Sequence, residues 1–182
     1  MRGVRLPRRR RKDTDDQTIS RDQLVCKLLP AVPHRYRALV ALAAGTGLRW
    51  GECTGLRWDA VDLPGGVVRV VRVAEEVSGH VVLKPYPKSK AGRRSVPLPP
   101  FVVQALTEHA KAYGVGDDDL IFVARTGAAL KRGTFRARVW KPSLQRAGLP
   151  IGLRFHDLRH SYATWLVSDG APINDVAKVM GH

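Results

Sequence analysis

At 182 residues the chain is long enough for one domain with an ordinary core, or for one domain plus an arm. Its 31 Lys and Arg outweigh 16 Asp and Glu, for a formal charge of +15, and a folded chain so unbalanced points to a polyanionic partner, nucleic acid first. The two cysteines, Cys26 and Cys53, exclude a disulfide framework and show no metal-ligand spacing; the longest strongly apolar run, Leu39 to Ala44, is far too short to span a bilayer.

Taken in order, residues 1–17 open with Arg8, Arg9, Arg10, Arg11 and Lys12 and then turn acidic, a composition that buries no core. They read as a basic flexible arm or linker remnant in which Arg8 to Arg11 can follow phosphates, and no apolar stretch behind them forms an export signal. Residues 18–182 read as one domain. Ser20-Arg21-Asp22-Gln23 is a capping box that starts a helix to about Leu29, with Pro30 and Pro33 as punctuation. A second helix, from about His34 to Ala44, carries Tyr36, Leu39, Val40 and Ala43 at core spacing and stops at Gly45 and Gly47. Arg49 follows at a tight turn where a new helix begins. A fork of donors there can face a cleft, or can pair on the surface with Glu52 one turn on. Both cysteines read as packing residues, and their scarcity fits a reducing cytoplasm.

Val67 to Val73 and His80 to Leu83 are dense in β-branched residues and bounded by turns, which predicts a hairpin, with a third strand over about Arg93 to Pro97. Lys88 and Lys90 precede that strand and share one face. A helix from about Pro100 to Tyr113 follows. Asp117 to Asp119 lack the ligand pattern of a calcium loop, so no metal is expected. A helix from about Lys131 to Ala147 presents Lys131, Arg132, Arg136, Arg138 and Lys141, either to DNA or to solvent. The fold expected is mainly α-helical with a small antiparallel sheet of three strands.

The last 27 residues run from His156-Asp157-Leu158-Arg159-His160 to Met180-Gly181-His182. His156 and Arg159, three apart, share a helix face. Leu158, Tyr162 and Leu166 take core spacing on the same helix, and a final helix from Ile173 to Met180 turns Ile173, Val176, Ala177 and Met180 inward. This arrangement resembles the catalytic domain of the tyrosine recombinase (phage integrase) family, in which His-x-x-Arg is followed about twenty residues on by Gly-His. Thr46-Gly47-Leu48-Arg49-Trp50-Gly51-Glu52, with Leu56, Trp58, Asp59 and Asp62 after it, resembles that family's first arginine motif.

The resemblance implies a catalytic set of Arg49, a hairpin lysine (Lys88, with Lys90 as the alternative), His156, Arg159 and His182, acting without cofactor or metal. Two guanidinium forks would hold the non-bridging oxygens of a scissile phosphodiester, the lysine would protonate the departing 5′ oxygen, His156 would help deprotonate the nucleophile or orient the phosphate, and His182 would donate to it. Lys131, Arg132 and Arg136, with the arm arginines, are the expected DNA contacts. The family's nucleophile is a tyrosine shortly after Gly-His; the tyrosines here are Tyr36, Tyr86, Tyr113 and Tyr162, and none follows that motif. The expectation is therefore a cytoplasmic, C-terminally incomplete catalytic domain, monomeric without DNA, whose partners are double-stranded DNA and the other recombinase subunits of a synapse. It would not form the 3′-phosphotyrosyl bond alone. A DNA-binding module or decoy derived from the family is the alternative. A structural RNA-binding protein is a more distant one, since no glycine-aromatic RNA motif is present.

Overall fold

The computed structural model describes residues 17–85, 93–114, 116 and 119–181. Its first helical stretch starts where the capping box predicts. Ser20 Oγ accepts from the Gln23 amide at 3.0 Å, and Gln23 Oε1 accepts from the Ser20 amide at 2.8 Å. The stretch runs through a wide-turned segment, Gln23–Leu28, into α1 (Leu29–Ala31), so Pro30 lies inside the helix and does not end it. The widened turns before Pro30 accept a residue without an amide hydrogen. Leu24 and Leu28 are buried on this stretch, which leaves Cys26 on the opposite, exposed face; only Cys53 is a packing residue.

Helix α2 (His34–Thr46) is the centre of the domain, with every residue from Ala38 onward buried. A helix apolar on all sides must be surrounded, and α2 is packed by α3 (Trp50–Thr54), α4 (Pro100–Tyr113) and α7 (Asp157–Ser168). Gly45 does not stop α2 as the sequence reading expects. A Cβ there would stand 2.5 Å from Val102 and 2.9 Å from Phe101, so the glycine lets α4 approach. The stop is Gly47, in the left-handed conformation at φ +65.

The β structure is divided differently from the predicted hairpin. Strands β1 (Val61–Asp62), β2 (Val67–Val70) and β5 (Arg94–Pro97) form a three-stranded antiparallel sheet in the order β1-β2-β5. Strands β3 (Arg72–Val77) and β4 (His80–Pro85) form a separate hairpin. The run of β-branched residues changes sheet at Val71. Val68 and Val70 face the main core, whereas Ala74 lays its backbone against Gly51 and Gly55 of the α3 segment, where an added Cβ would meet it at 2.5 and 2.7 Å.

The remaining helices are α5 (Arg132–Phe135), a wide-turned continuation over Arg136–Trp140, α6 (Lys141–Ala147), α7 and α8 (Ile173–Met180). Val176 and Met180 of α8 pack with Tyr162 of α7, but Ile173 is 75% exposed, contrary to the expected inward position. As the first residue of α8 it lies ahead of the turn that packs. Among the described residues, no helix is long and apolar enough to cross a membrane.

Candidate active site

Two glycines bring the motif regions together. The left-handed turn at Gly47 places Arg49 at the N-terminus of α3, and a Cβ on Gly47 would lie 2.6 Å from Tyr162 of α7 and 2.9 Å from the Met180 sulfur of α8. At the end of α8, Gly181 is left-handed at φ +69 and its α-carbon faces the Arg94 guanidinium, which a Cβ would meet at 2.9 Å. The first arginine block, the His-x-x-Arg helix and the end of α8 therefore converge.

Arg159 joins these parts from behind. The residue is 4% exposed, and its guanidinium donates to the carbonyl of Gly47 at 2.6 Å and to the carbonyl of Met180. Arg49, partly exposed, donates its amide to Glu52 Oε2 at 2.8 Å and Nη1 to Glu52 Oε1 at 3.2 Å. The pair with Glu52 is present, but on a buried carboxylate and not at the surface, and it coexists with a place in the cleft. Glu52 is fully buried and also receives both terminal nitrogens of Arg94, at 3.1 and 2.9 Å.

A cleft of about 710 Å³ is lined by Arg49, His156, Arg132, Trp50 and, on the hairpin side, Glu75 and Glu76. A second, of about 580 Å³, adjoins it at Trp50, Arg132, Gly133 and His156 and adds Arg136, Arg154 and the rings of Phe135, Trp140 and Phe155. His156, at the N-terminus of α7, is half-buried. Burial first, then the charges of His160 and Arg159, lower its pKa below the ordinary imidazole value, so it is neutral near pH 7. Glu76 lines the cleft, its carboxylate accepting from the Arg132 amide. Lys131, Arg132, Arg136, Arg138 and Lys141 are all exposed along the α5–α6 surface.

Of the expected set, Arg49 and His156 line one cleft with Arg132, whereas Arg159 is buried against the carbonyls of Gly47 and Met180 and is not among the residues that line it. Lys88, Lys90 and His182, with Arg8, Arg9, Arg10 and Arg11, lie outside the described residues. Glu52 as a buried hub and Arg94 as its main partner were not anticipated; the only signal was that Glu52 belongs to the first arginine motif. Each tyrosine among the described residues is engaged in packing or a hydrogen bond. Tyr162 is buried, with its pKa raised by that burial, and Tyr113 hydrogen-bonds His34 at 2.7 Å on the far end of α4. Tyr36 packs edge-on against Phe135, and Tyr86 lies outside the described residues.

Residues 21–182 match the sequence model of the phage integrase family. The chain is 32% identical over 191 residues to a tyrosine recombinase XerC-like protein of Caldanaerobacter subterraneus subsp. tengcongensis, covering 93% of this chain and 48% of that protein. It is 33% identical over 171 residues to the tyrosine recombinase XerD of Corynebacterium glutamicum, covering 87% of this chain and 51% of the relative. The chain thus spans about half the length of these relatives. Among solved structures, the fold is similar to the Tn1549 transposon integrase in complex with transposon right-end DNA, with a TM-score of 0.82 at 21% identity over 93% of this chain and 59% of that one.

Proposed function

Because the chain belongs to the phage integrase family, we propose that it is the catalytic domain of a site-specific tyrosine recombinase. Its role is to hold double-stranded DNA with a scissile phosphate between Arg49 and His156. The observation that carries the reading is the shared cleft of Arg49, His156 and Arg132, beside the exposed cationic surface of α5 and α6. Guanidinium groups at such a cleft stabilise the extra negative charge of a pentacoordinate phosphate. A neutral His156 can accept a proton from an attacking hydroxyl.

In this reading Arg49, His156, His182 and one of Lys88 and Lys90 form the phosphate site with Arg159 set behind them, the lysine protonating the leaving 5′ oxygen. Arg132, Arg136, Lys131 and the arm arginines hold the flanking backbone. The work is done in the cytoplasm with no cofactor, and full recombination requires further recombinase subunits around the DNA; the 182-residue polypeptide is monomeric without it. Fluorescence anisotropy of a labelled duplex across a salt series tests the phosphate site. The log-log slope is expected to fall by roughly one unit for each of Arg49→Ala and Arg132→Ala. An unchanged slope for Arg49→Ala would remove the phosphate from this cleft.

A second reading, a DNA-holding module that does not cut, is supported by the engagement of the described tyrosines: Tyr162 is buried, Tyr113 is hydrogen-bonded to His34 and Tyr36 packs against Phe135. The 182 residues alone are expected to bind plasmid DNA without relaxing it and to yield no protein–DNA adduct on a denaturing gel. A covalent adduct would overturn that expectation and make one of the four tyrosines a nucleophile.

A further inference from the structure

The cavity of about 580 Å³ differs in chemistry from the cleft it adjoins. The rings of Trp50, Phe135, Trp140 and Phe155 stand in its wall, and among the described residues that line it there is no carboxylate, whereas Glu75 and Glu76 line the first cleft. The rings hold one another in place. Phe155 meets Trp50, Phe135 and Trp140 edge-on, with centroids 5.1, 5.7 and 5.5 Å apart, and the Trp140 indole donates to the Leu153 carbonyl at 2.8 Å. Phe135 and Trp140 are buried, whereas Trp50 and Phe155 are half-buried and keep accessible ring surface where they line the cavity. Arg132 and Arg136, four apart on α5 and its continuation, are exposed beside the rings. Gly133 leaves room between them: a Cβ there meets no described atom within 4 Å.

We propose that this second cavity receives an unpaired base of the DNA whose phosphate occupies the first. The two cavities share Trp50, Arg132, Gly133 and His156, so a nucleotide with its phosphate in one has its base beside the other. A base that is still paired and stacked offers a groove only its edge. Rings that line a cavity meet a base face once that base has left the stack, and stacking on them then offsets the cost of extrusion. Every base has such a face, so the pocket prefers an unpaired base without reading sequence. Arg132 and Arg136 hold the backbone on the same side. A free anion would leave the rings unused, and a purely apolar ligand would leave the arginines unused; a base attached to its phosphate engages both.

This inference rests on the reading of the first cleft as a DNA-phosphate site. The test uses the 182-residue chain and labelled duplexes that are fully paired, carry a single bulged base, or carry an abasic residue at the bulge. In anisotropy titrations the bulged base is expected to bind about tenfold tighter than the abasic bulge, which has the same charge and nothing to stack. Trp50→Leu and Phe155→Leu, each checked for folding by circular dichroism, are expected to lower that ratio by about threefold or more. A bulged 5-iododeoxyuridine irradiated with the unaltered chain is expected to cross-link to one of the cavity's rings, located by mass spectrometry, and this places the base even if neither variant folds.

Equal affinity for the bulged and abasic duplexes would overturn the proposal. So would a cross-link confined to residues outside the cavity, or a ratio that persists in both folded variants. If Arg49→Ala leaves the salt slope of the paired duplex unchanged, the phosphate-site reading has failed; an Arg49-dependent slope with no preference for the base refutes the base pocket alone.

Discussion

Nη1 of Arg159, on α7, donates to the carbonyl of Gly47, the residue that ends α2, across 2.6 Å. A second bond from the same guanidinium, to the Met180 carbonyl, fastens α8 to that junction. One buried side chain thus holds the three segments that carry the site. Alanine at position 159 would strand two buried carbonyls, each costing about 1–3 kcal/mol. The expected loss is roughly 2–6 kcal/mol, seen as a lower urea midpoint, together with weakened DNA binding. An unchanged midpoint would show that α8 is held by its apolar face alone.

Gly47→Ala should be far more damaging than Gly148→Ala, although both glycines are left-handed, at φ +65 and +63. Any L-residue in that conformation costs on the order of 1–2 kcal/mol. At Gly148 nothing among the described residues lies within 4 Å of the new Cβ, so the cost ends there. At Gly47 the methyl would sit 2.6 Å from Tyr162 and 2.9 Å from Met180, which adds about 1–3 kcal/mol of overpacking and displaces α7 from α8. Chemical denaturation of the two variants in parallel measures the difference; equal midpoints would mean that the junction is plastic.

What was legible in the chain was whatever is carried by neighbours in sequence. The turn at Gly47, the start of α3 at Arg49, the position of His156 and the stop at Gly181 all follow from local spacing, and the structure has each of them. What stayed hidden depends on partners far along the chain. Gly45 looks like a stop until Phe101 and Val102 are seen against it. The run from Val67 to Val73 reads as one strand until Val73 is seen with Ala74 against Gly51 and Gly55, away from the sheet that holds Val70. Arg94 looks like a strand-edge charge, and its role rests on Glu52, 42 positions earlier.

The hairpin carboxylates set up an opposition at the cleft. Glu75 and Glu76 line it beside Arg49, and Glu76 ties the hairpin to the Arg132 amide. An entering phosphate must displace or repel that carboxylate. Glu76→Gln is therefore expected to tighten duplex binding by roughly fivefold, about 1 kcal/mol. Glu75→Gln removes the same charge from a carboxylate already paired with Lys84 and should do less. Anisotropy titrations at one salt concentration compare them. Equal gains would attribute the effect to net charge and leave no latch at Glu76.

His109, on α4, is 3% exposed, and its Nε2 donates to the Ile121 carbonyl at 2.8 Å. Its buried Nδ1 has no hydrogen-bond partner among the described residues. Burial lowers its pKa, and the charges of Arg35 and His34 act in the same direction against the partial offset of the Ile121 bond. In the unfolded chain the imidazole returns to its ordinary value of about 6.5. As pH falls through that value the unfolded state takes up a proton that the native state refuses, so stability declines there and is unaffected above it. His156 is shifted the same way, so the two histidines must be separated. His109→Gln keeps an N–H for Ile121 and removes the titration. Its stability should therefore vary less than that of the unaltered chain between about pH 7.5 and about pH 5.5, measured by urea denaturation at each pH. If both proteins lose stability in parallel on acidification, the buried imidazole is not the group that titrates.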